Sequence, residues 1–436
     1  MSRTRTTRRP LYGWLTAEAV SLAGTRVSMI ALPFLVLTTT GSATKTGLVA
    51  LFEMLPMVLL KVLGGPVIDR IGARRVSIGC DLGSLGVVGA IPALHEAGVL
   101  SFPALLGLVA VAGALRGPGD AAKQALVPVI VEHARVPMER VTGLAGTVER
   151  ASSMLGAGLA GALVATLGAT NALVVDAASF GFSALVLAWS TRTLPAPAPA
   201  PAEEGEAGDG YVRRLREGWD FLRRDRVLLG ITGMVALTNL LDAAYSTVLV
   251  PVWAVDAGRG AGAIGLVFAV FSGASALGSV CAATWAARLS RYRTYLVAFL
   301  ICGAPRYAVF ALDAPLWLLV GVVAVSGFAA GFINPVLGAV IFERIPAPLM
   351  GRVSSLTTAM CFALMPLGGM VGGLLVSGVG LPVTLLAAGA AYLVVTMLPA
   401  VDPRWREIDE RRPVELGGEP AREPDREPDQ EKAAAT

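Results

Sequence analysis

Residues 138–168 of this chain return, thinned but in register, at 350–380. Arg140-Val141 recurs as Arg352-Val353, and Leu144 as Leu356. The run Leu155-Gly156-Ala157-Gly158-Leu159-Ala160-Gly161 aligns with Leu367-Gly368-Gly369-Met370-Val371-Gly372-Gly373, and both copies close on a glycine, Gly168 and Gly380. Both copies lie inside long apolar stretches. A same-direction repeat in an apolar chain implies two membrane bundles built alike with a pathway between them. Transport is therefore the first expectation.

With 54% hydrophobic and 16% charged residues over 436 positions, the chain is too apolar for a soluble protein. Twelve stretches are long and apolar enough to cross a bilayer. They run at 11–37, 46–62, 76–94, 102–121, 141–167, 171–189, 227–251, 262–285, 294–312, 316–341, 356–376 and 381–399. The expected fold is an all-α membrane protein of twelve transmembrane helices in two pseudo-symmetric six-helix bundles. The bundles occupy 11–190 and 227–400; 1–10 is a basic N-terminus, 191–226 a linker and 401–436 a tail.

Basic residues crowd alternate loops: Arg3 to Arg9, Arg70 to Arg75, Arg135 and Arg140, Arg213 to Arg226, Arg288 to Arg293, then Arg344 and Arg352. The other set of loops holds only Lys45 and Arg259. Because Lys and Arg stay on the cytoplasmic side, both termini and the linker are expected there, in a cell inner membrane crossed many times. The net charge of +4 is thus topological and does not point to nucleic acid. The apolar stretch after Arg9 is too short before Ala17-Glu18-Ala19 for a cleaved signal, and cleavage would leave an odd number of spans. The four cysteines are isolated and histidine occurs only at 95 and 133, so neither a disulfide frame nor a metal centre is expected. No cofactor is expected either.

The linker opens on alternating proline and alanine (195–201), turns acidic at Glu203, Glu204 and Glu206, and leads into a helix with Val212, Leu215, Trp219 and Leu222 on one face. That face suits either the membrane surface or a cover over the bundle's own inner end. The tail from Asp402 is charged and proline-rich and is expected to be disordered.

Charges inside the spans cost roughly 2.5–3.5 kcal/mol each at the bilayer centre, so they imply a partner or a purpose. Arg26, Asp242 and Arg306 fall near mid-membrane; Glu18, Glu53, Lys61, Asp81, Glu149, Arg150 and Asp176 fall nearer the ends. A carboxylate here can carry a proton, since burial favours its neutral form. It can equally sit in an interhelical salt bridge, for instance Asp242 with Arg306. The proton-coupling candidates are Asp242, Glu53, Glu149 and Glu18, and the cavity candidates are Arg26, Arg306 and Arg116. Arg116, Asp120 and Lys123, four and three residues apart, share a helical face and can pair along it. Glycines at three- and four-residue spacing, Gly156 with Gly161 and Gly368, Gly369, Gly372 and Gly373, suit close helix packing.

The loop Gly65-Pro66-Val67-Ile68-Asp69-Arg70-Ile71-Gly72-Ala73-Arg74-Arg75 resembles the signature loop of the major facilitator superfamily, departing from it at Pro66. The resemblance, with the repeat, extends over all twelve spans and implies the major facilitator fold. It implies a conformational latch of Gly65, Asp69, Arg70, Gly72, Arg74 and Arg75. In that latch Asp69 meets the positive end of span eleven and favours the outward-open state. It also implies that Asp120 joins the Asp-Arg pair. The second half has Ala287 where the acid would stand, so the latch is one-sided. Span five carries half of the glycine motif of drug and proton antiporters: Gly156 and Gly161 match, while Ala157 replaces a proline.

Ile30-Ala31-Leu32-Pro33, Thr40-Gly41-Ser42-Ala43, Asp176-Ala177-Ala178-Ser179-Phe180 and Glu217-Gly218-Trp219-Asp220-Phe221 resemble the branch that holds siderophore exporters and macrolide efflux proteins. The resulting expectation is a monomeric carrier in the lipid bilayer that exports a small amphipathic organic molecule, a drug, antibiotic or siderophore, by proton antiport through alternating access. A proton-coupled importer and a non-transporting sensor on the same fold are the alternatives. No single segment carries a nucleophile with its base, so an enzyme is not expected.

Overall fold

The computed structural model describes residues 8–194, 209–285, 288–346 and 349–409. Residues 1–7, the proline-alanine and acidic part of the linker, Ala287 and the tail beyond 409 lie outside the described residues. Twelve helical spans cross the molecule: Arg9–Thr40, Ala43–Lys61, Ala73–Glu96, Phe102–Ala134, Gly143–Leu167, Ala169–Ser190, Arg226–Asp256, Gly260–Ala282, Arg291–Ala311, Leu316–Ile341, Val353–Val379 and Leu381–Val401. They are numbered one to twelve below.

The halves pack alike. In the first, span one lies on spans five and six, span two on span four, and span three on spans four and six. In the second, span seven lies on eleven and twelve, span eight on ten, and span nine on ten and twelve. Two further contacts, span two with eleven and span five with eight, join the halves and are each other's equivalents under the repeat. The glycines that close the repeated segments adopt the same left-handed backbone, φ 84° at Gly168 and 82° at Gly380. A side chain bearing Cβ is strained there, which explains why both copies end on glycine.

Glycine sets the spacing of the contacts. A Cβ on Gly161 would lie 2.6 Å from Gly265 Cα, so spans five and eight meet backbone to backbone. Across the other contact, a Cβ on Gly369 would lie 2.7 Å from Ala50 Cβ and one on Gly373 2.5 Å from Ala43 O. Gly368 and Gly372 face span seven instead, against Leu240 and Ala244. Gly113 and Gly117 pack on the carbonyls of Glu53 and Met57 in span two; their equivalents Gly327 and Gly331 pack on Phe271 and Ser275 in span eight. Ser377 and Thr44 hydroxyls, 2.7 Å apart, add a polar tie between halves. These inter-half contacts all lie toward the end that carries the Gly41, Gly168 and Gly380 turns, which closes that end of the molecule.

The tail departs from the disordered segment expected at 401–436. Residues Pro403–Asp409 form a 3₁₀ helix with Trp405 and Ile408 buried. The Trp405 ring fills the space left by Gly230 and lies 5.6 Å from the Tyr295 ring. Asp409 accepts hydrogen bonds from Ser290 Oγ at 2.9 Å and Tyr292 N at 3.0 Å, at the start of span nine. Glu407 and Asp225 both accept from Arg344, at 3.2 and 3.0 Å. Two apolar residues three apart are enough to dock a segment whose four charged residues, Arg404, Arg406, Glu407 and Asp409, composition alone reads as solvated. Of the linker helix Asp209–Arg224, Leu222 is buried against Leu228, Ile345 and Val353 while Trp219 stays exposed, so its end covers the second bundle. Truncating Trp405 to Ala is expected to cost about 3–5 kcal/mol, read as a fall in the thermal unfolding midpoint of the purified protein.

Candidate functional site

A cavity of about 460 Å³ lies between the halves. Span one presents Arg26, Met29 and Ile30, span two Met54 and span five Ser153 and Ala157; the second half supplies Asp242, Tyr245, Phe268, Phe271, Arg306, Asn334 and Tyr392. The walls are largely apolar and aromatic. Arg26, Asp242 and Arg306 are the charged residues among those that line it.

The backbone of span seven is adapted here. Ser246 and Thr247 hydroxyls donate back to the carbonyls of Asp242 and Ala243, at 2.9 and 2.6 Å. The helix then widens into a π turn over Tyr245–Leu249. Back-bonding hydroxyls loosen a helix, and π turns recur where a side chain must be re-aimed. Span nine is interrupted too. Arg291–Cys302 and Ala304–Ala311 join at Gly303, where the Tyr392 ring occupies the place of a side chain. The break brings Arg306 to face Asp242.

Arg306 and Asp242 form an ion pair, the salt-bridge alternative anticipated for them. The guanidinium is enclosed by aromatic rings, with its Cζ 4.8 Å from the centre of Tyr245, 5.1 Å from Tyr307, 5.2 Å from Tyr392 and 5.6 Å from Phe271. Cation–π attraction is worth most when the cation is desolvated, as here. The Arg306 side chain is only 5% exposed, whereas that of Asp242 is 41% exposed. The acid faces the cavity and its cation stands behind it. Arg26 is held differently: it donates to Ser153 Oγ at 2.7 Å and to Met29 Sδ at 3.4 Å, with no acidic partner among the described residues. Gly156 makes its room, since a Cβ there would lie 3.0 Å from Arg26 Cγ.

The other candidates distribute away from the cavity. Arg116 does not pair with Asp120 along its helix; it reaches Glu53 on span two at 3.3 Å. Lys123 likewise crosses to Asp81, at 3.1 Å, and to Ser21 Oγ at 3.0 Å, and Asp81 accepts from Ser183 at 2.7 Å. The pairing expected along this face, at four- and three-residue spacing, fails because each cation finds its acid across a helix interface, Arg116 at Glu53 and Lys123 at Asp81. Glu18 is half-buried within electrostatic range of Lys123, Asp81 and Asp120. Glu149 is exposed on span five, outside the cavity lining. Glu53 and Asp176, which counting along the spans puts nearer the ends, both border a small void beside Ser28, well inside the first bundle.

In the loop after span two, Asp69, Arg70 and Arg75 are exposed. Among the described residues no ion pair links Asp69 to span eleven, or Asp120 to Arg70. Gly65 and Gly72 bracket the short helix Gly65–Ile71, and Gly72 turns the chain at φ 92° into span three. Arg74 alone is engaged: it donates to Ala188 O at 2.9 Å and Thr191 Oγ1 at 3.0 Å, fastening span three to the end of span six.

The unequal exposure of Asp242 and Arg306 gives a thermodynamic test. Asp242→Asn leaves a buried guanidinium without a counter-charge and is expected to lower stability by about 3 kcal/mol. The double variant Asp242→Asn/Arg306→Met should recover most of that loss, as read from thermal midpoints in a double-mutant cycle.

Known proteins bear on this geometry. The Major Facilitator Superfamily profile matches residues 15–260 and 232–428. The protein called "Multidrug efflux pump Tap" of Mycolicibacterium fortuitum is 31% identical over 409 residues, covering 93% of this chain and 98% of that one. "Macrolide efflux protein A" of Streptococcus pyogenes is 22% identical over 402 residues, covering 90% and 95%. The crystal structure of the nucleoside transporter NupG superposes with a TM-score of 0.70 at 14% identity, over 89% of this chain and 97% of that one, a likeness of fold. With its twelve spans, repeated halves and central cavity, this multi-pass membrane protein belongs to the Major Facilitator Superfamily of transporters.

Proposed function

We propose that the protein exports a small amphipathic organic compound, a drug, antibiotic or siderophore, by proton antiport through alternating access. The central cavity carries this reading: its volume falls in the range of drug-sized sites, its walls are apolar and aromatic, and its one lining acid, Asp242, faces the open space. The names of the efflux relatives support the direction and the substrate class.

In this reading the arginine-rich loops and both termini face the cytoplasm of an inner-membrane protein, which acts as a monomer and needs no cofactor. The closed end then faces outward, so the conformation is open to the cytoplasm, and an unengaged Asp69 is consistent with a latch that belongs to the opposite state. The substrate enters between the halves and lies against Arg26 and the aromatic wall. Asp242 exchanges its bond to Arg306 for a proton, and rocking of the halves moves the site across. Each inward proton supplies about 2.3 kcal/mol per 100 mV.

Energised inside-out vesicles test the proposal when challenged in turn with cationic drugs, macrolides and catecholate siderophores. One compound class is expected to collapse the pH gradient, with the rate falling at least about tenfold in Asp242→Asn, a loss of about 1.4 kcal/mol or more in coupling. The Asp242→Asn/Arg306→Met variant, in which packing is restored without the acid, should remain uncoupled. If no compound moves protons through folded, inserted protein, antiport is wrong and uptake or sensing takes its place.

A further inference from the structure

The first bundle holds a second group of ionisable residues that the central cavity does not use. Asp176 on span six is 1% exposed and has no cation bonded to it among the described residues. Its carboxyl is bonded by two hydroxyls, Ser28 of span one and, at 3.3 Å, Ser179 of its own helix. Apolar side chains, Leu32, Val88 and Phe180 among them, share its surroundings. A void of about 20 Å³ adjoins it, lined by Ser28, Ser84, Glu53, Arg116 and Asp176 among apolar neighbours. That volume suffices for one water, and the polar groups around it can each bond one.

The charged side chains that meet at this void are Glu53 from span two, Arg116 from span four and Asp176 from span six. Spans one and three contribute no charge, only the hydroxyls of Ser28 and Ser84 beside Leu32, Val88 and Ile91. Asp81, one turn from Ser84, is committed to Lys123, and Arg26 faces the central cavity. One cation therefore stands with two carboxyl groups in a low-dielectric interior. Burying net charge is expensive, so such a triad is electrically neutral only when it carries one proton.

We propose that Glu53, Arg116 and Asp176 form a single-proton site, the proton resting on Asp176 while Glu53 pairs with Arg116. The site is separate from the drug cavity. The proton moves from the Asp176 carboxyl through the bridging water to Glu53, whose neutralisation frees Arg116 to face the Asp176 carboxylate. The triad keeps the same total charge at each stage, and Glu53, with a side chain 19% exposed, is the point of exchange with outside water. Use of this site in energy coupling rests on the antiport reading; its existence does not.

Infrared difference spectra of the full-length protein in lipid nanodiscs decide the matter through the carbonyl stretch of a protonated carboxylic acid. Wild type is expected to show such a band that Asp176→Asn abolishes. Glu53→Gln is expected to abolish the same band although Asp176 is retained, because Arg116 then balances an ionised Asp176. A merely structural Asp176 would keep its band in Glu53→Gln, and that result, or a wild type without the band, overturns the proposal. Folding of each variant is checked by size-exclusion elution and thermal unfolding of the purified protein, which do not depend on transport and are expected to match wild type. In energised vesicles Asp176→Asn should lose compound-driven proton movement; retention of it would remove the site from coupling. Absence of proton movement in the wild type itself would instead overturn antiport, leaving the infrared result to stand alone.

Discussion

In a hydrocarbon solvent no hydrophobic force drives helices together, because lipid is as apolar as leucine; what holds them is how closely their surfaces meet. Here that closeness rests on backbone-to-backbone seams at glycine. Gly161 against Gly265 and Gly369 with Gly373 against the start of span two bring the two halves together at one end only. Inside each half, Gly113 and Gly117 or Gly327 and Gly331 seat span four or ten on its neighbour. The cavity exists because the seams stop short of it. Bulky side chains such as Met29, Phe271 and Tyr392 then take over and keep the helices apart.

Polar interactions do a different task in each half. The second half displays one acid to the cavity and keeps its arginine in an aromatic box, a geometry that depends on a π turn in span seven and a break in span nine. In the first half the ionic groups turn inward. Glu53 with Arg116 and Asp81 with Lys123 are pairs within one bundle, and Arg26 alone reaches the space between. Two halves descended from one pattern have thus kept a common packing scheme while diverging in where their charges point.

Much of this was legible in the chain. Helix count, direction and the equivalence of halves follow from span length and from the repeat, whose closing glycines share one conformation. The pairing of Asp242 with Arg306 was one of two open readings, since each was costly alone at its depth. Other partners were hidden. Glu53 meets Arg116 and Asp81 meets Lys123 across interfaces that no local spacing encodes. Asp176 looked peripheral by position in its span yet is almost wholly enclosed. The small-residue spacing of Gly113 with Gly117 and Gly327 with Gly331 was available as a signal and points to span-two and span-eight contacts. The docked tail was missed because Trp405 and Ile408 lie among charges that average them away.

The short helix after span twelve has a mechanical meaning. Through Asp409 it holds the entrance of span nine, and through Glu407 and Arg344 it holds the exit of span ten and, by way of Asp225, the entrance of span seven. Three helix ends that would otherwise splay independently are stapled to one another by a segment that crosses no membrane. The second half is thereby tied together at its arginine-rich end, as the first half is by the Arg74 clasp and by Arg9, which donates to Trp189 O and lies over the Trp189 ring. Any movement of the second half at that end must carry these three helix ends together.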